Sequence, residues 1–328
     1  MDTSHSHHDP DKNNVLDKRF GDIEVVSGAR FSVGESPLWN PNESSLIFVD
    51  IIDKALVTID LNGNCTRIQT EDFPTACALV EQSDSHLIVA FAQGVSLVDR
   101  RNGKVLPVSQ PDQMQGNRLN EGKCDPLGRF WVSSMQTNLH PDGSGKEMDR
   151  ESGALFSVVG DGFSKRWTEY NLGLTNTMAW SPDRETFYFG DSMNNVIWAY
   201  DYELEAGAVS NPRIFFQNYP NGAPDGSCID SEGYLWNCRF GGSEIVRIAP
   251  DGSLDSVVPL PVTNPTSCTF GGKNGDTLYI TSAQFSLTHE QLKQNPIEGA
   301  VLSFKPRVGG SHEYKFACSE DLLNQLNL

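Results

Sequence analysis

The chain has 328 residues, of which 38% are hydrophobic and 21% are charged, and its formal net charge is -18. This composition is typical of a soluble globular protein, and no apolar run approaches the roughly 18 residues that cross a bilayer, so we expect no membrane association. The acidity, together with the lack of any local basic cluster, argues against nucleic acid as a partner.

The N-terminal segment contains His5, His7 and His8 among Asp and Asn residues, without an apolar stretch that could act as a secretion signal. We therefore expect residues 1–17 to be a disordered tail with solvated histidines, and residues 18–328 to form a single domain. The seven cysteines are scattered, odd in number and without a CxxC pair, which favours reduced thiols in a cytoplasmic protein.

A sequence motif recurs along the chain. Its first copy starts at Gly34-Glu-Ser-Pro-Leu-Trp and leads into an apolar strand. Its copies are 40 to 56 residues apart and start at Glu35, Thr75, Glu121, Thr177, Asp225 and Thr266. A period of this length, with several short strands and turn signals in each unit, is typical of a propeller blade. The six copies predict an all-β fold, a six-bladed β-propeller.

The segment 23–29 precedes the first repeat. A propeller leaves sheet edges unpaired unless it closes, so we expect this segment to supply the missing strand of the last unit, which contains residues 278–282 and 301–305. The alternative fold is that of an α/β enzyme. Such a fold needs helices between its strands, and helical periodicity between the strands is confined to the short segment 287–294, so this alternative is disfavoured.

Two insertions interrupt the repeat, at residues 137–152 and 284–299. Insertions in a repeat fold lie on one face, which is often the face that binds a ligand. A solvated loop without a role is the alternative for each of them.

Oxygen-bearing side chains stand at the heads of several repeats: Glu35, Asn120, Asn176 and Asp225. The innermost strands of a propeller line one central channel, so these side chains are expected to converge. Two carboxylates and two carboxamides suit a hard divalent cation, whereas turn capping is the alternative for each Asn or Asp. The histidines lie outside the repeat heads and no GxSxG elbow is present, so a Ser-His-Asp site has no support.

Five runs together resemble the gluconolactonase and regucalcin family. They are the run from Gly34, Arg118-Leu-Asn-Glu-Gly-Lys-Cys-Asp-Pro-Leu-Gly-Arg-Phe, Trp180 with residues 187–191, Pro224-Asp-Gly-Ser-Cys-Ile-Asp-Ser-Glu-Gly-Tyr-Leu-Trp, and Thr266-Ser-Cys-Thr-Phe-Gly-Gly-Lys-Asn. The likeness covers residues 20–305. It implies a six-bladed propeller with one divalent metal in the channel mouth and hydrolysis of sugar lactones, a step of carbohydrate metabolism. It also implies Glu35, Asn176 and Asp225 as metal ligands, with Arg118 and Asn120 binding substrate.

The chain departs from the family pattern at three positions. Asn138 stands where members often carry an acidic residue that holds sugar hydroxyls, and we keep it as a substrate-binding candidate. Thr177 replaces the usual Gly, and Ala179 replaces the Asp that follows. The particular lactone is therefore left open.

The resulting hypothesis is that a cation polarises the lactone carbonyl while Asp225 accepts a proton from the attacking water. Calcium is the expected ion, with zinc, manganese, magnesium and iron as alternatives. Two other functions compete with lactone hydrolysis: hydrolysis of another ester or an organophosphate at the same site, and noncatalytic metal binding. The oligomeric state is left open.

Overall fold

The computed structural model describes residues 22–310 and 313–325, so the tail predicted for residues 1–17 lies outside the described residues. Within these ranges the chain forms 24 strands and two six-residue helices, and the strands make six four-stranded sheets. Every strand pair within the sheets is antiparallel, as in the pairing of β2 with β3 and of β10 with β11. The six-bladed propeller predicted from the repeats is confirmed.

The first three blades follow the chain outward from the channel. Blade 1 comprises β2 (Gly34–Asn40), β3 (Ser45–Asp50), β4 (Ala55–Asp60) and β5 (Cys65–Gln69). Blade 2 comprises β6 (Pro74–Val80), β7 (Ser83–Phe91), β8 (Gly94–Asp99) and β9 (Val105–Ser109). Blade 3 comprises β10 (Asn117–Cys124), β11 (Phe130–Gln136), β12 (Leu155–Val158) and β13 (Ser164–Arg166).

Blades 4 and 5 repeat this order, and blade 6 takes its outer strand from the start of the chain. Blade 4 comprises β14 (Thr175–Trp180), β15 (Thr186–Asp191), β16 (Val196–Glu203) and β17 (Ala208–Gln217). Blade 5 comprises β18 (Ala223–Ile229), β19 (Leu235–Phe240), β20 (Glu244–Ile248) and β21 (Leu254–Pro259). Blade 6 comprises β22 (Pro265–Gly271), β23 (Thr277–Ser282), β24 (Leu302–Phe304) and β1 (Glu24–Val25).

The apolar core lies between neighbouring blades. Trp131 of blade 3, for example, packs against Trp180 and Phe187 of blade 4 with ring centroids 6.1 and 5.2 Å apart. The innermost strands are almost wholly buried, whereas the outer strand β17 is largely exposed. Each innermost strand contacts the next, and β2 meets β22, so the ring of six closes.

The hairpins between the first and second strands of blades 3 and 5 show why the repeat has its sequence. Asp125 accepts hydrogen bonds from the N–H groups of Leu127 and Arg129, and its carboxylate also accepts one from the indole of Trp131. Gly128 takes φ +80°, a conformation that a side chain disfavours. Blade 5 repeats this turn with Asp230 in place of Asp125. The Asp and Gly of the recurring motif therefore specify the hairpin.

Closure of the ring occurs where it was predicted. In β1, Glu24 pairs with Ser303 and Val25 pairs with Leu302, and the N–H of Val26 donates to Val301 O at 2.9 Å. The predicted helical segment also forms, as α1 (His289–Gln294) with a capping box between Thr288 and Gln291.

The C-terminal segment 313–325, which the sequence analysis did not assign, crosses the end of the channel opposite the repeat heads. Phe316 exchanges backbone hydrogen bonds with Leu79 and Glu81 of blade 2, and the segment ends in α2 (Glu320–Gln325). No helix among the described residues is long and apolar enough to span a membrane.

Candidate active site and metal centre

The innermost strands share an irregularity at one end of the channel. Each of them shifts register against its neighbour, and a bulge of this kind re-aims side chains that would otherwise alternate. The shifts begin at or enclose four of the predicted site residues: Glu35, Asn120, Asn176 and Asp225. The repeat heads therefore coincide with a shared structural feature of the blades.

A cavity of about 280 Å³ opens at this end of the channel. All six residues predicted for the site line it: Glu35, Arg118, Asn120, Asn138, Asn176 and Asp225. The two insertions also contribute to its lining, residues 137–152 through Asn138, Leu139 and Met148, and residues 284–299 through Phe285. Residues from five of the six blades and both insertions thus meet at one site.

Two carboxylates are buried in this cavity. Glu35 is 9% exposed and Asp225 is 6% exposed. Burial raises the pKa of both carboxyl groups well above the usual range, and for Glu35 the charges of Asp225 and then Glu121 raise it further. Within the described residues, neither Glu35 nor Asp225 forms an ion pair with Lys or Arg. Two carboxyl groups that are buried close together without a Lys or Arg partner favour a bound cation, whose charge would stabilise their ionised forms.

Amide groups complete the donor set. The Nδ2 group of Asn176 donates to Ser192 Oγ at 2.9 Å, which leaves Asn176 Oδ1 as the end that can face a cation. Asn120 Nδ2 donates to Asn176 Oδ1 at 3.2 Å and to Thr175 O at 2.6 Å. No three Cys, His, Asp or Glu residues of the described chain cluster as metal ligands, so amide oxygens are needed for any ion held here.

Arg118 organises the neighbouring side of the site. Arg118 is 6% exposed, and its guanidinium donates to Asn120 Oδ1 at 2.7 Å and to Asn138 Oδ1 at 2.9 and 3.2 Å. Burial lowers the pKa of Arg118 to about 10, and the charge of Glu35 opposes that shift, so the group stays protonated at neutral pH. Arg118 therefore fixes the orientations of two amides that line the cavity.

Thr177, which follows Asn176, adopts φ +47°, a region disfavoured for a β-branched residue. A Gly would adopt this conformation without strain, and this chain instead holds Thr177 in it through hydrogen bonds. Thr177 Oγ1 donates to the backbone carbonyl of Asp225 and lies 2.9 Å from Ser227 Oγ, while Asn237 Nδ2 donates to Thr177 Oγ1 at 3.2 Å. The side chain thus links the strands that carry Asn176 and Asp225.

Three features of the site escaped the sequence analysis. Ser192, which orients Asn176, follows a strand and belongs to no recurring motif. Glu121, a buried carboxylate whose charge raises the pKa of Glu35 and Asp225, starts a repeat and could have been found there. The apolar cavity wall comes from dispersed positions such as Phe240 and Met193, which no local pattern connects.

The fold and the site define a six-bladed propeller with a candidate active site at the mouth of its central channel. The comparisons with known proteins agree with this description. The family model of the SMP-30/Gluconolactonase/LRE-like region matches residues 33–284. Regucalcin from Homo sapiens is 32% identical over 298 residues, covering 90% of this chain and 98% of that protein. The chain belongs to the SMP-30/gluconolactonase/LRE-like family, which confirms the family resemblance of its motifs.

Two solved structures are similar to the chain over nearly its whole length. A luciferin-regenerating enzyme has a TM-score of 0.81 at 27% identity, covering 90% of this chain and 99% of that one. A calcium-binding protein, regucalcin from Agrobacterium tumefaciens, has a TM-score of 0.81 at 25% identity, covering 89% of this chain and 96% of that one. Both likenesses extend beyond the channel mouth to all blades.

Proposed function

We propose that the protein is a metal-dependent lactonase, which adds water to the carbonyl of a cyclic ester and releases the hydroxy acid. The observation that carries the proposal is the pair of buried carboxylates, Glu35 and Asp225, in a cavity that also contains Asn176, Asn120 and Arg118. Membership of a family named for gluconolactonase supports the reaction class. The same name favours a sugar lactone as the starting hypothesis for the substrate.

Glu35, Asn176 and Asp225 are the proposed ligands of one divalent cation. Their oxygens fit a hard cation, because two carboxylates are buried without a Lys or Arg partner among the described residues and Asn176 has its nitrogen engaged by Ser192. When bound, such a cation polarises the carbonyl and stabilises the negative charge that develops on its oxygen. The similar Agrobacterium protein is described as calcium-binding, which supports calcium as the first choice.

The remaining chemistry belongs to the side chains. We assign Asp225 as the group that accepts a proton from the attacking water, since it is a buried carboxylate that lines the cavity. The water oxygen bonds to the carbonyl carbon, the ring C–O bond breaks, and the proton passes to the departing ring oxygen. Arg118, with Asn120 and Asn138 held by its guanidinium, orients the substrate.

The direct test is acid release from a lactone panel by protein stripped of metal and then refilled with calcium, zinc, manganese, magnesium or iron. We expect hydrolysis only after refilling. Equal rates before and after removal of metal would contradict the proposal. A phosphotriester in the same panel tests the rival substrate class, and a protein that binds metal but hydrolyses nothing would be the noncatalytic alternative.

Replacement of Asp225 by Asn tests its assigned role. Asn keeps an oxygen ligand but cannot accept the proton, so we expect kcat to fall at least about a hundredfold, the range seen when one stabilising group is lost from an active site. Metal content is measured beside the rate. A variant that retains metal and hydrolyses lactones like the parent would contradict the base role.

We also propose that the reaction runs in the cytoplasm. All seven cysteines, each within the described residues, are unpaired thiols, and six of them are buried. Cys228 and Cys268 are unpaired although their sulfurs lie 3.4 Å apart. Such thiols suit a reducing compartment.

A further inference from the structure

The walls of the cavity are apolar to an extent that the site chemistry does not require. Ten of its eighteen lining residues are hydrophobic: Val33, Ile51, Ile52, Leu139, Met148, Leu174, Met193, Ala223, Phe240 and Phe285. They come from several blades and from both insertions. More than half of the residues that a ligand in this cavity would meet are therefore hydrophobic.

The polar side chains of the lining are mostly engaged within the protein. Ser192 donates its hydroxyl to Pro224 O, and Thr266 donates its hydroxyl to Gly34 O. Arg118 gives four of its five N–H groups to Asn120, Asn138 and the backbone carbonyl of Leu119. The groups left for a ligand are the buried carboxylates, their amide neighbours and one N–H of Arg118, and these lie where the ester must react.

Asn138 offers a sugar hydroxyl no free acceptor. Its Oδ1 atom accepts from both Nε and Nη2 of Arg118, so only its Nδ2 group, a donor, is left for a ligand. A polyhydroxylated ring would bring several hydroxyl groups against hydrocarbon walls. Burying a hydroxyl without a hydrogen-bond partner costs free energy, so this wall selects against such a ring.

The two insertions reinforce the apolar wall. Residues 137–152 fold back on themselves through a hydrogen bond from Lys146 N to Asn138 O at 2.7 Å. Two glycines of this insertion pack closely on hydrophobic side chains: a Cβ atom on Gly145 would lie 3.2 Å from the ring of Phe285, and one on Gly143 would lie 3.1 Å from Ile52. The insertion thus contacts both the second insertion and the β3–β4 turn.

We infer that the substrate is a lactone with an apolar body, bearing an alkyl or aryl substituent in place of the hydroxyls of a sugar lactone. This inference rests on the proposed lactonase function. The ester group lies at the floor beside Glu35 and Asp225, and the substituent packs against Phe240, Phe285 and the aliphatic side chains. The specificity therefore resides in the walls, separately from the reacting groups.

The test compares three six-membered lactones with the metal-loaded protein: one unsubstituted, one carrying a five-carbon alkyl chain, and one polyhydroxylated. We expect kcat/KM for the alkyl lactone to exceed that for the polyhydroxylated lactone by roughly tenfold or more, because each buried methylene contributes a factor of about four. A polyhydroxylated lactone that is hydrolysed as well as or better than the alkyl lactone would overturn the inference.

Variants locate the selectivity. Phe285→Ser removes part of the wall, and we expect the ratio of alkyl to polyhydroxylated kcat/KM to fall several-fold. The control is Phe163→Ser at a position 65% exposed and outside the cavity, which should keep the parental ratio. Asn138→Glu should move the ratio toward the polyhydroxylated lactone. An unchanged ratio in both Phe285→Ser and Asn138→Glu would contradict the assignment to this wall.

A binding measurement separates this inference from the lactonase proposal. Unreactive cyclic ethers with the same alkyl or hydroxyl substituents are titrated into the protein by calorimetry. Tighter binding of the alkyl ether, weakened by Phe285→Ser, supports the apolar pocket even if no lactone is hydrolysed, in which case only the proposed reaction fails. Equal or tighter binding of the hydroxylated ether overturns the inference whatever the catalytic result.

Discussion

Asp50 illustrates at the scale of one residue how the site is held in place. It is fully buried at the end of β3, and its carboxylate accepts hydrogen bonds from the N–H groups of Ser32 and Val33 at 3.3 and 3.0 Å. Val33 lines the cavity and lies two residues before Glu35. Asp50 thus fixes the entry to the strand that carries a proposed metal ligand.

The titration of Asp50 should be visible in the stability of the protein. Burial raises the pKa of Asp50 from 3.8 to about 6, although the backbone hydrogen bonds oppose the shift. Because the native pKa lies above the unfolded one, folding takes up a proton between about pH 4 and pH 6, and stability falls as pH rises through this window. The contribution of Asp50 to the free energy of unfolding should fall by ~3 kcal/mol.

The measurement is urea unfolding of the parent and Asp50→Asn from pH 4 to pH 7, with the difference between them plotted against pH. Titrating groups that do not interact with Asp50 cancel in that difference. We expect the stability of the parent relative to Asp50→Asn to decline up to about pH 6 and then to level off. A difference that is constant with pH would contradict this assignment.

Some residues of the site could be predicted from the sequence and others could not. Glu35 and Asp225 could be proposed because they begin recognisable repeats. The contact between Arg118 and Asn138 could not be, since it joins a strand to an insertion twenty residues further along the chain. Ser192 carries no signal either, because its role depends on a hydrogen bond to another strand. Such pairings follow from tertiary packing.

Among the elements, the C-terminal segment has a buried attachment to the channel. Lys123 Nζ in β10 donates to Glu313 Oε1 at 2.9 Å and to Ser227 O at 2.8 Å. Burial lowers the pKa of Lys123, but the charge of Glu313 outweighs it, so the pKa is raised overall and the side chain is an ammonium ion. This ion pair links blade 3, blade 5 and the C-terminal segment.

Removing the Lys123 side of this pair should cost considerable stability. Lys123→Met leaves Glu313 without its cation, and because the Glu313 side chain is 25% exposed we expect a loss of about 1.5–3 kcal/mol, below that of a fully buried pair. Lys305→Met is the control, because Lys305 is 68% exposed in its pair with Asp276, and such pairs contribute less than about 1 kcal/mol. Denaturant unfolding measures both, and equal losses in the two variants would contradict the structural role of Lys123.

The elements differ in how far the sequence predicted them. The blade strands followed from alternating turns and apolar runs, and even α1 was anticipated from the segment 287–294. The bulges in the innermost strands were not predicted, because a register shift depends on the partner strand. The C-terminal segment escaped because it pairs only through isolated contacts such as Phe316 with Leu79 and Glu81.

For the molecule as a whole, closure by β1 makes the ring continuous. Val26→Pro removes the N–H group that donates to Val301 O and should lower the free energy of unfolding. Val26→Ala keeps that N–H and is the matched control. We expect the Pro variant to be less stable than the Ala variant by on the order of 1 kcal/mol or more. Equal stabilities in urea unfolding would show that this closing bond contributes nothing.

The whole fold could be predicted from the sequence because each of the six copies of the motif indicates the same unit, a propeller blade. The site was accessible only in part: the channel brings the repeat heads together, but the character of the cavity wall depends on insertions and turns that follow no repeat. This division explains why the reaction class could be anticipated while the apolar wall, with Phe240 and Phe285, became evident only in the structure.

The most direct test of the central claim is a crystal structure of the calcium-loaded protein, with the ion located by its anomalous scattering. The expected result is a single ion at the cavity floor, with oxygens of Glu35, Asn176 and Asp225 at roughly 2.3–2.6 Å from it. An ion bound elsewhere, or a cavity floor that stays free of calcium at saturating concentration, would contradict the proposed metal centre and the lactonase built on it.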